Sequence, residues 1–179
     1  MADSDMEVEL PTPRQVTLLS KQGIEVRVSA AACAVSDMLR PMLPEEDDED
    51  QGNEPEQLPV PNVDTDVLQH ICRFLEYNAD TPMKELPLKA LSTNKLSDLV
   101  QGWYADYVAD MEQPFRERLV IAADYMGIQP LYLLCCAFMA TIIRTSTPDM
   151  IRSYFSIVND FTPEEEAEMR SLNKWVESV

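Results

Sequence analysis

The sequence predicts a mixed α/β (α+β) domain: a small sheet opened by an N-terminal β-hairpin, packed on helices and followed by a helical C-terminal extension. Three observations predict it. Residues 15–28 place two alternating, β-branched stretches on either side of a glycine turn. Residues 64–75 repeat apolar side chains at helical spacing. From Pro114 onward, prolines, threonines and one glycine punctuate four short helical segments.

Each element follows from its residues. Residues 1–13 carry Asp3, Asp5, Glu7 and Glu9, two prolines and only apolar or neutral neighbours, the composition of a disordered tail. Gln15-Val16-Thr17-Leu18-Leu19 is a strand candidate, residues 20–23 have turn chemistry, and Ile24-Glu25-Val26-Arg27-Val28 alternates apolar and charged side chains. The pair reads as a hairpin with one wet face. Ser29 suits the cap of a helix over 30–40 that ends before Pro41. Residues 44–57 are an acid run, read as a solvated loop, with docking on a basic partner as its functional alternative. Leu58-Pro59-Val60 is extended, because a residue before proline disfavours the helical region. Asp64 or Thr65 opens a helix whose Val67, Leu68, Ile71, Cys72 and Leu75 share one stripe, with His70 beside it and partly exposed. Residues 78–102, broken by Pro82, Pro87 and Gly102, read as a variable linker with a short helix near 95–100. Residues 103–108 then anchor a further short helix through Trp103, Tyr104 and Tyr107.

Pro114 suits a first helical position and Gly127 the left-handed cap after the last turn. Pro130 starts the next helix, which runs to 144. Its apolar run, 131–143, is too short for a membrane span of about 20 residues and reads as buried. Thr147 caps a third helix with Pro148 in first position, and Thr162 and Glu165 have the capping-box spacing for a fourth. Short connections of two to six residues suit antiparallel helix neighbours. The last helix ends in Trp175-Val176, and its apolar residues do not make one tight stripe. Periodicity leaves two readings of Trp175 open: it packs back on the domain, or it belongs to a partner-binding surface.

Composition excludes several functions. Fourteen Lys+Arg against 32 Asp+Glu give a formal charge of −18. Residues 1–13 carry −4, residues 45–56 carry −8 and the last twenty carry −4, so the bulk of the chain is nearly neutral. No basic face is available for a phosphate backbone or an anionic membrane. The N-terminus lacks a secretory pattern. Cys33, Cys72, Cys135 and Cys136 form no CxxC pair and His70 is the sole histidine, so neither a metal site nor a cofactor is expected. The thiols read as reduced, which places the chain in cytoplasm or nucleus. There is no GxGxxG, phosphate loop, GxSxG or HExxH. Solvated acid runs cannot raise a carboxyl pKa into the working range, and Cys135-Cys136 lie in an apolar helix that quiets a thiol. The chain therefore reads as a non-enzyme, the competing class being a thiol enzyme built on Cys136.

Five stretches carry a family resemblance. Leu58-Pro59-Val60-Pro61-Asn62-Val63, Ile121-Ala122-Ala123-Asp124-Tyr125-Met126-Gly127-Ile128, Thr147-Pro148-Asp149-Met150-Ile151-Arg152, Asn159-Asp160-Phe161-Thr162-Pro163-Glu164-Glu165-Glu166 and Asn173-Lys174-Trp175 resemble, in order and spacing, motifs of the S-phase kinase-associated protein 1 family. The resemblance covers roughly 14–77 and 103–177. It implies a BTB/POZ-like domain over 14–144 and C-terminal F-box-binding helices over 145–179. It also implies an adaptor that joins F-box proteins to a cullin scaffold in an SCF-type ubiquitin ligase. Carried over by position, Cys136, Met139, Ile143, Ile151, Phe155, Ile157, Phe161, Asn173 and Trp175 fall at or beside the F-box surface. Asp124 and Tyr125 fall on the cullin side. Pro148 matches a proline that is hydroxylated and glycosylated in some protist members. A BTB-face homodimer is the expectation for the free chain.

Two departures from the family pattern stand out. Asp124 stands where the family has asparagine, so an acceptor-only carboxylate replaces an amide that also donates. This keeps open an adaptor that stabilises F-box proteins in cullin-free kinetochore or RNA-regulatory assemblies. Arg116-Glu117 stand where the family usually has an apolar pair, so one F-box contact is expected to be lost or replaced by a charged one.

Overall fold

A computed structural model describes residues 14–43, 57–86 and 93–174. The acidic tail, the acid run from 44 to 56, part of the linker, Trp175 and Val176 lie outside the described residues. The chain divides into two compact units, Met1–Thr141 and Ile142–Val179, a division that falls inside a helix.

The N-terminal unit is built on a three-stranded sheet. Strands β1 (Gln15–Leu19) and β2 (Glu25–Ser29) pair antiparallel, with Val16 opposite Val28 and Leu18 opposite Val26. Gly23, at φ +74°, closes the turn between them, and the Ser20 Oγ accepts from the Ile24 amide at 3.0 Å. Strand β3 (Gln57–Pro59) adds parallel to the other side of β1, giving the order β2-β1-β3. The wet face is narrower than alternation predicts. Thr17 is only 1% exposed, because β1 is the central strand and Thr17 is flanked by Arg27 and Gln57.

The helix expected over 30–40 is cut to one turn, α1 (Ala30–Cys33). Ser29 caps it as expected, accepting from the Ala32 amide. Tertiary bonding then overrides helix propensity. The Ser36 hydroxyl donates to the Met126 carbonyl at 2.5 Å, and the amides of Asp37 and Met38 donate to the carbonyls of Gly127 and Met126. The backbone is drawn off the helical path, and Pro41 lies in a 3-10 turn, Arg40–Met42, instead of following a helix.

Helix α2 (Thr65–Asp80) buries all five predicted stripe residues, together with Phe74 and Asn78. It runs into the region read as linker. The short helix expected near 95–100 is a 3-10 turn, Leu96–Asp98. Helix α3 (Gly102–Ala109) is anchored by rings: Trp103 stacks on Tyr77 at 3.7 Å, and Tyr104 meets Phe74 edge-on at 5.6 Å. The Tyr104 hydroxyl shares its one proton between the Thr81 carbonyl (2.6 Å) and Oδ1 of the buried Asn78 (3.0 Å).

Helix α4 (Gln113–Tyr125) carries Pro114 in its first turn and is followed by Gly127 at φ +63°. A Cβ at Gly127 would sit 2.9 Å from the Asp37 Cβ, so glycine is required there both by conformation and by close approach. Helix α5 (Gln129–Thr145) crosses the division between units and buries Leu131, Leu134, Cys135, Ala137 and Thr141. One continuous apolar cluster gathers Val16, Leu18, Leu68, Ile71, Phe74, Leu119, Met126 and Leu134 with their neighbours.

The C-terminal unit holds helices α6 (Pro148–Tyr154) and α7 (Pro163–Leu172). Their connection, Phe155 to Thr162, is eight residues, longer than the two to six expected.

Candidate functional site

Two exposed regions hold the residues singled out by sequence, one in each unit. In the N-terminal unit, α4 buries Ala122 and Ala123 and turns Asp124 and Tyr125 outward. Tyr125 is 39% exposed, and Ile121, one turn earlier, is 69% exposed. Residues four apart share a helix face, so an apolar side chain and a phenol stand beside one carboxylate. Sequence reasoning named Tyr125 and missed Ile121, although their i, i+4 spacing was readable. Arg118 pins α4 to the start of α2, donating to Asp66 at 2.6 and 3.1 Å and to Asp64 at 3.4 Å. The hydrogen bond from Arg118 holds the Asp66 carboxyl below the usual carboxylate range.

On α5, Cys136 and Met139 are half-buried, on consecutive positions of one face (i, i+3), while Cys135 is fully buried. Burial pushes the Cys135 thiol up to about 12, and likewise those of Cys33 and Cys72. The expectation that both α5 thiols are enclosed therefore holds for Cys135 alone. Cys136 hydrogen-bonds Tyr132, which holds that phenol above its usual value.

The C-terminal unit is made by local chemistry. Thr147 caps α6 by accepting from the Met150 amide, with Pro148 in the first turn and exposed. Thr162 and Glu165 close a reciprocal capping box on α7. Ser156 ends α6 in the left-handed region at φ +54°, and the Ile157 amide reaches back to the Arg152 carbonyl at 2.8 Å. Arg152 meets Asp149 at 2.8 Å and Glu166 at 3.6 Å, tying α6 to α7.

None of the described side chains from 142 to 174 is buried. Among the predicted residues, Ile143, Ile157 and Phe161 are each about half exposed (46, 55 and 48%). Ile151 and Phe155 are half-buried, with the Phe155 ring edge-on to Tyr154 at 4.9 Å. Asn173 is exposed, and its Nδ2 donates to the Met169 carbonyl at the end of α7. Met150, Val158, Met169 and Leu172 are also exposed and were not predicted. Their signal was their presence in short segments too polar to form a core stripe.

Arg116 corrects an expectation. It is 5% exposed and so forms no part of a surface contact. Its Nε donates to the Val108 carbonyl at 3.0 Å and its Nη2 to the Met111 carbonyl, capping the end of α3. Its guanidinium lies 4.3 Å from the Phe138 ring centroid. Free carbonyls at a helix C-terminus attract a cation, which is why an arginine replaces an apolar side chain inside a core. Glu117 is exposed.

Among the described residues no group of three or more histidine, cysteine or acidic side chains is placed to hold a metal ion. No described helix is long and apolar enough to cross a membrane.

Comparison with known proteins agrees with this architecture. The family model described as Skp1 family, dimerisation domain, matches residues 129–176. An S-phase kinase-associated protein 1 homolog of Tetrahymena thermophila is 38% identical over 92% of this chain and 95% of its own length. An E3 ubiquitin ligase complex SCF subunit, sconC, of Arthroderma benhamiae is 31% identical over 91% of this chain and 95% of its own. A SKP1-like protein of Arabidopsis thaliana is 30% identical over 92% and 96%. With likeness running along nine tenths of each pair of chains, this protein belongs to the Skp1 family.

Proposed function

We propose that the chain is a non-catalytic adaptor that links F-box proteins to a cullin scaffold in an SCF-type ubiquitin ligase. One observation carries the reading: the C-terminal unit displays Ile143, Ile157, Phe161, Met169 and Leu172 to solvent and buries nothing among its described residues. Capped helices with exposed apolar side chains gain their burial from a partner helix. Relatives named as SCF ubiquitin ligase complex subunits, from fungi and from Dictyostelium discoideum, support the same role. The adaptor works by positioning, raising the effective concentration of a captured substrate near the ligase. It takes no cofactor, operates in cytoplasm and nucleus, and leaves its BTB face for a homodimer when no cullin is bound. Pro148, exposed in the first turn of α6, is accessible to modification.

Each unit carries residues that we assign to F-box binding: Cys136 and Met139 in the first, and Ile143, Ile151, Phe155, Ile157, Phe161 and Asn173 in the second, with Trp175 beyond the described residues. Asp124 and Tyr125 serve the cullin. The test is reconstitution of the full chain with an F-box peptide and a cullin N-terminal domain. A ternary complex weakened at least tenfold by Phe161→Ala supports the reading, and an F-box peptide that fails to bind overturns it. Asp124 sustains the second reading, an adaptor in cullin-free assemblies. There the F-box peptide binds, the cullin does not, and Asp124→Asn restores it.

A further inference from the structure

A cavity of about 370 Å³ opens on the N-terminal unit between α2, α3 and the start of α4. Its volume is in the range that holds small side chains and ligands. Its walls are aromatic: Trp103, Tyr107 and Phe115 line it, with Trp103 and Tyr107 stacked at 5.0 Å. Three exposed carboxylates, Asp106, Asp110 and Glu112, line it as well. The cavity begins about 15 Å from Asp124 and Tyr125, ten residues along the axis of α4.

Two of the three charges, Asp106 and Asp110, are placed against the preference of α3. Asp106 lies in the last turn of α3 and Asp110 is its C-cap residue. That end of a helix carries the negative pole of its dipole and favours cations. Glu112 is the N-cap residue of α4, yet its side chain makes no capping bond. No salt bridge engages any of the three among the described residues. The buried Arg116 answers the α3 carbonyls from the inside and leaves the carboxylates to solvent. Asp106 and Asp110, kept where the α3 backbone disfavours them, point to a use outside the fold.

The rings already attract cations. Arg73, at the cavity wall, holds its guanidinium 5.9 Å from the Trp103 centroid, and Arg118 lies 5.2 Å from Phe115. Arg118 is engaged by Asp64 and Asp66. Arg73 supplies one positive charge against the three carboxylates, so the lining keeps a net negative charge.

We infer that this cavity receives the guanidinium of an arginine side chain on a partner polypeptide. A planar guanidinium stacks on ring faces and donates two parallel hydrogen bonds to a carboxylate, which an ammonium cannot match. The lining shares no residue with those assigned to F-box binding, so the inference does not depend on that reading.

The experiment is a titration of the full chain with a capped arginine tripeptide, read by NMR at the Trp103 indole N–H. Capped lysine and glutamine tripeptides are run in parallel. A single anchoring side chain binds with a Kd of about 1 mM. The expected result is saturable binding of the arginine peptide, at least threefold weaker binding of lysine and none of glutamine. Asp106→Asn with Asp110→Asn should weaken arginine binding at least tenfold. A second pair outside the cavity lining, Asp80→Asn with Asp98→Asn, which removes equal charge, should change it less than twofold. Both charge variants expose their substitutions to water, and thermal unfolding verifies that they fold. Equal responses to all three peptides, or equal loss from the two charge variants, overturn the inference. So does the absence of saturation.

Discussion

The two units of this chain are held together by different physics. From residue 14 to 141, side chains such as Leu18, Phe74, Leu119 and Leu134 are fully buried in one cluster. From 142 to 174 none is. The first unit is stabilised by removing apolar surface from water. The second relies on caps, a capping box and ion pairs, each contributing about 1 kcal/mol or less. The comparison teaches that a segment can be well specified in conformation and still lack the burial that makes structure cooperative. Such a segment is suited to finishing its core with another protein's side chains.

The largest expected contrast is in core truncation. Phe74→Ala should cost about 3–5 kcal/mol in urea unfolding, because the ring is fully buried between α2 and α3. Phe155→Ala in the C-terminal unit should move the unfolding midpoint of the free chain by less than about 0.5 kcal/mol, while lowering affinity for an F-box peptide at least tenfold. A cost for Phe155→Ala close to that of Phe74→Ala would break the contrast.

The two left-handed positions sharpen it. Gly127→Ala combines backbone strain of about 1–2 kcal/mol with the 2.9 Å approach to Asp37, so calorimetry should record a clear fall in Tm. Ser156→Gly relieves the φ of +54° and should raise protection of the α6 amides to hydrogen exchange by about 1 kcal/mol at most.

Thr162→Ala removes one half of the capping box and should cost α7 about 1 kcal/mol, read by exchange of its amides with little change in global unfolding. Thiol labelling divides the cysteines similarly. At pH 7.5, Cys33, Cys72 and Cys135, pushed to about 12 by burial, should stay unlabelled until the chain unfolds. Cys136, half-buried, should label first. A Cys136 that resists the reagent in the folded chain would sink the thiol-enzyme reading.

The smallest effect is a pH dependence. Asp66 is lowered by its bond with Arg118, so its contribution is present above the unfolded carboxylate pKa and disappears as pH falls through the folded value. Both groups are exposed and screened, which limits the pair to about 0.2–1 kcal/mol. Asp66→Asn should lower stability near neutrality by about 0.2–1 kcal/mol and match the parent chain at low pH, where Asp66 is protonated in the folded and unfolded states alike.

Short-range signals were legible in the sequence. Gly23 and Gly127 occupy left-handed positions, Ser29, Thr147 and Thr162 cap helices, and the α2 stripe is buried. Each depends on neighbours within a turn. The errors lie where distant residues intervene. The helix from 30 to 40 was lost to hydrogen bonds from Ser36, Asp37 and Met38 to the α4–α5 turn, which no local propensity can register. Thr17 pairs with Arg27 on the hairpin yet is enclosed, and a strand some forty residues later pairs beside it. Of the candidate surface, Ile143, Phe161 and Tyr125 were named in advance, while Ile121, Met169 and Leu172 were not. Exposure of an apolar side chain depends on what fails to cover it.

Arg116 shows the same limit for charge. In sequence it is a cation in place of an apolar residue and reads as a surface change. In the fold it is a buried cap on the carbonyls of Val108 and Met111. The sequence by itself determined where the chain turns, caps and repeats, and which stretches carry the family pattern, because those signals act over three or four residues. Only the tertiary structure decided which side chains are enclosed, since burial depends on every element that arrives from elsewhere in the chain. It therefore decided that α1 is one turn long, that Arg116 faces inward and that no described side chain from 142 to 174 is buried.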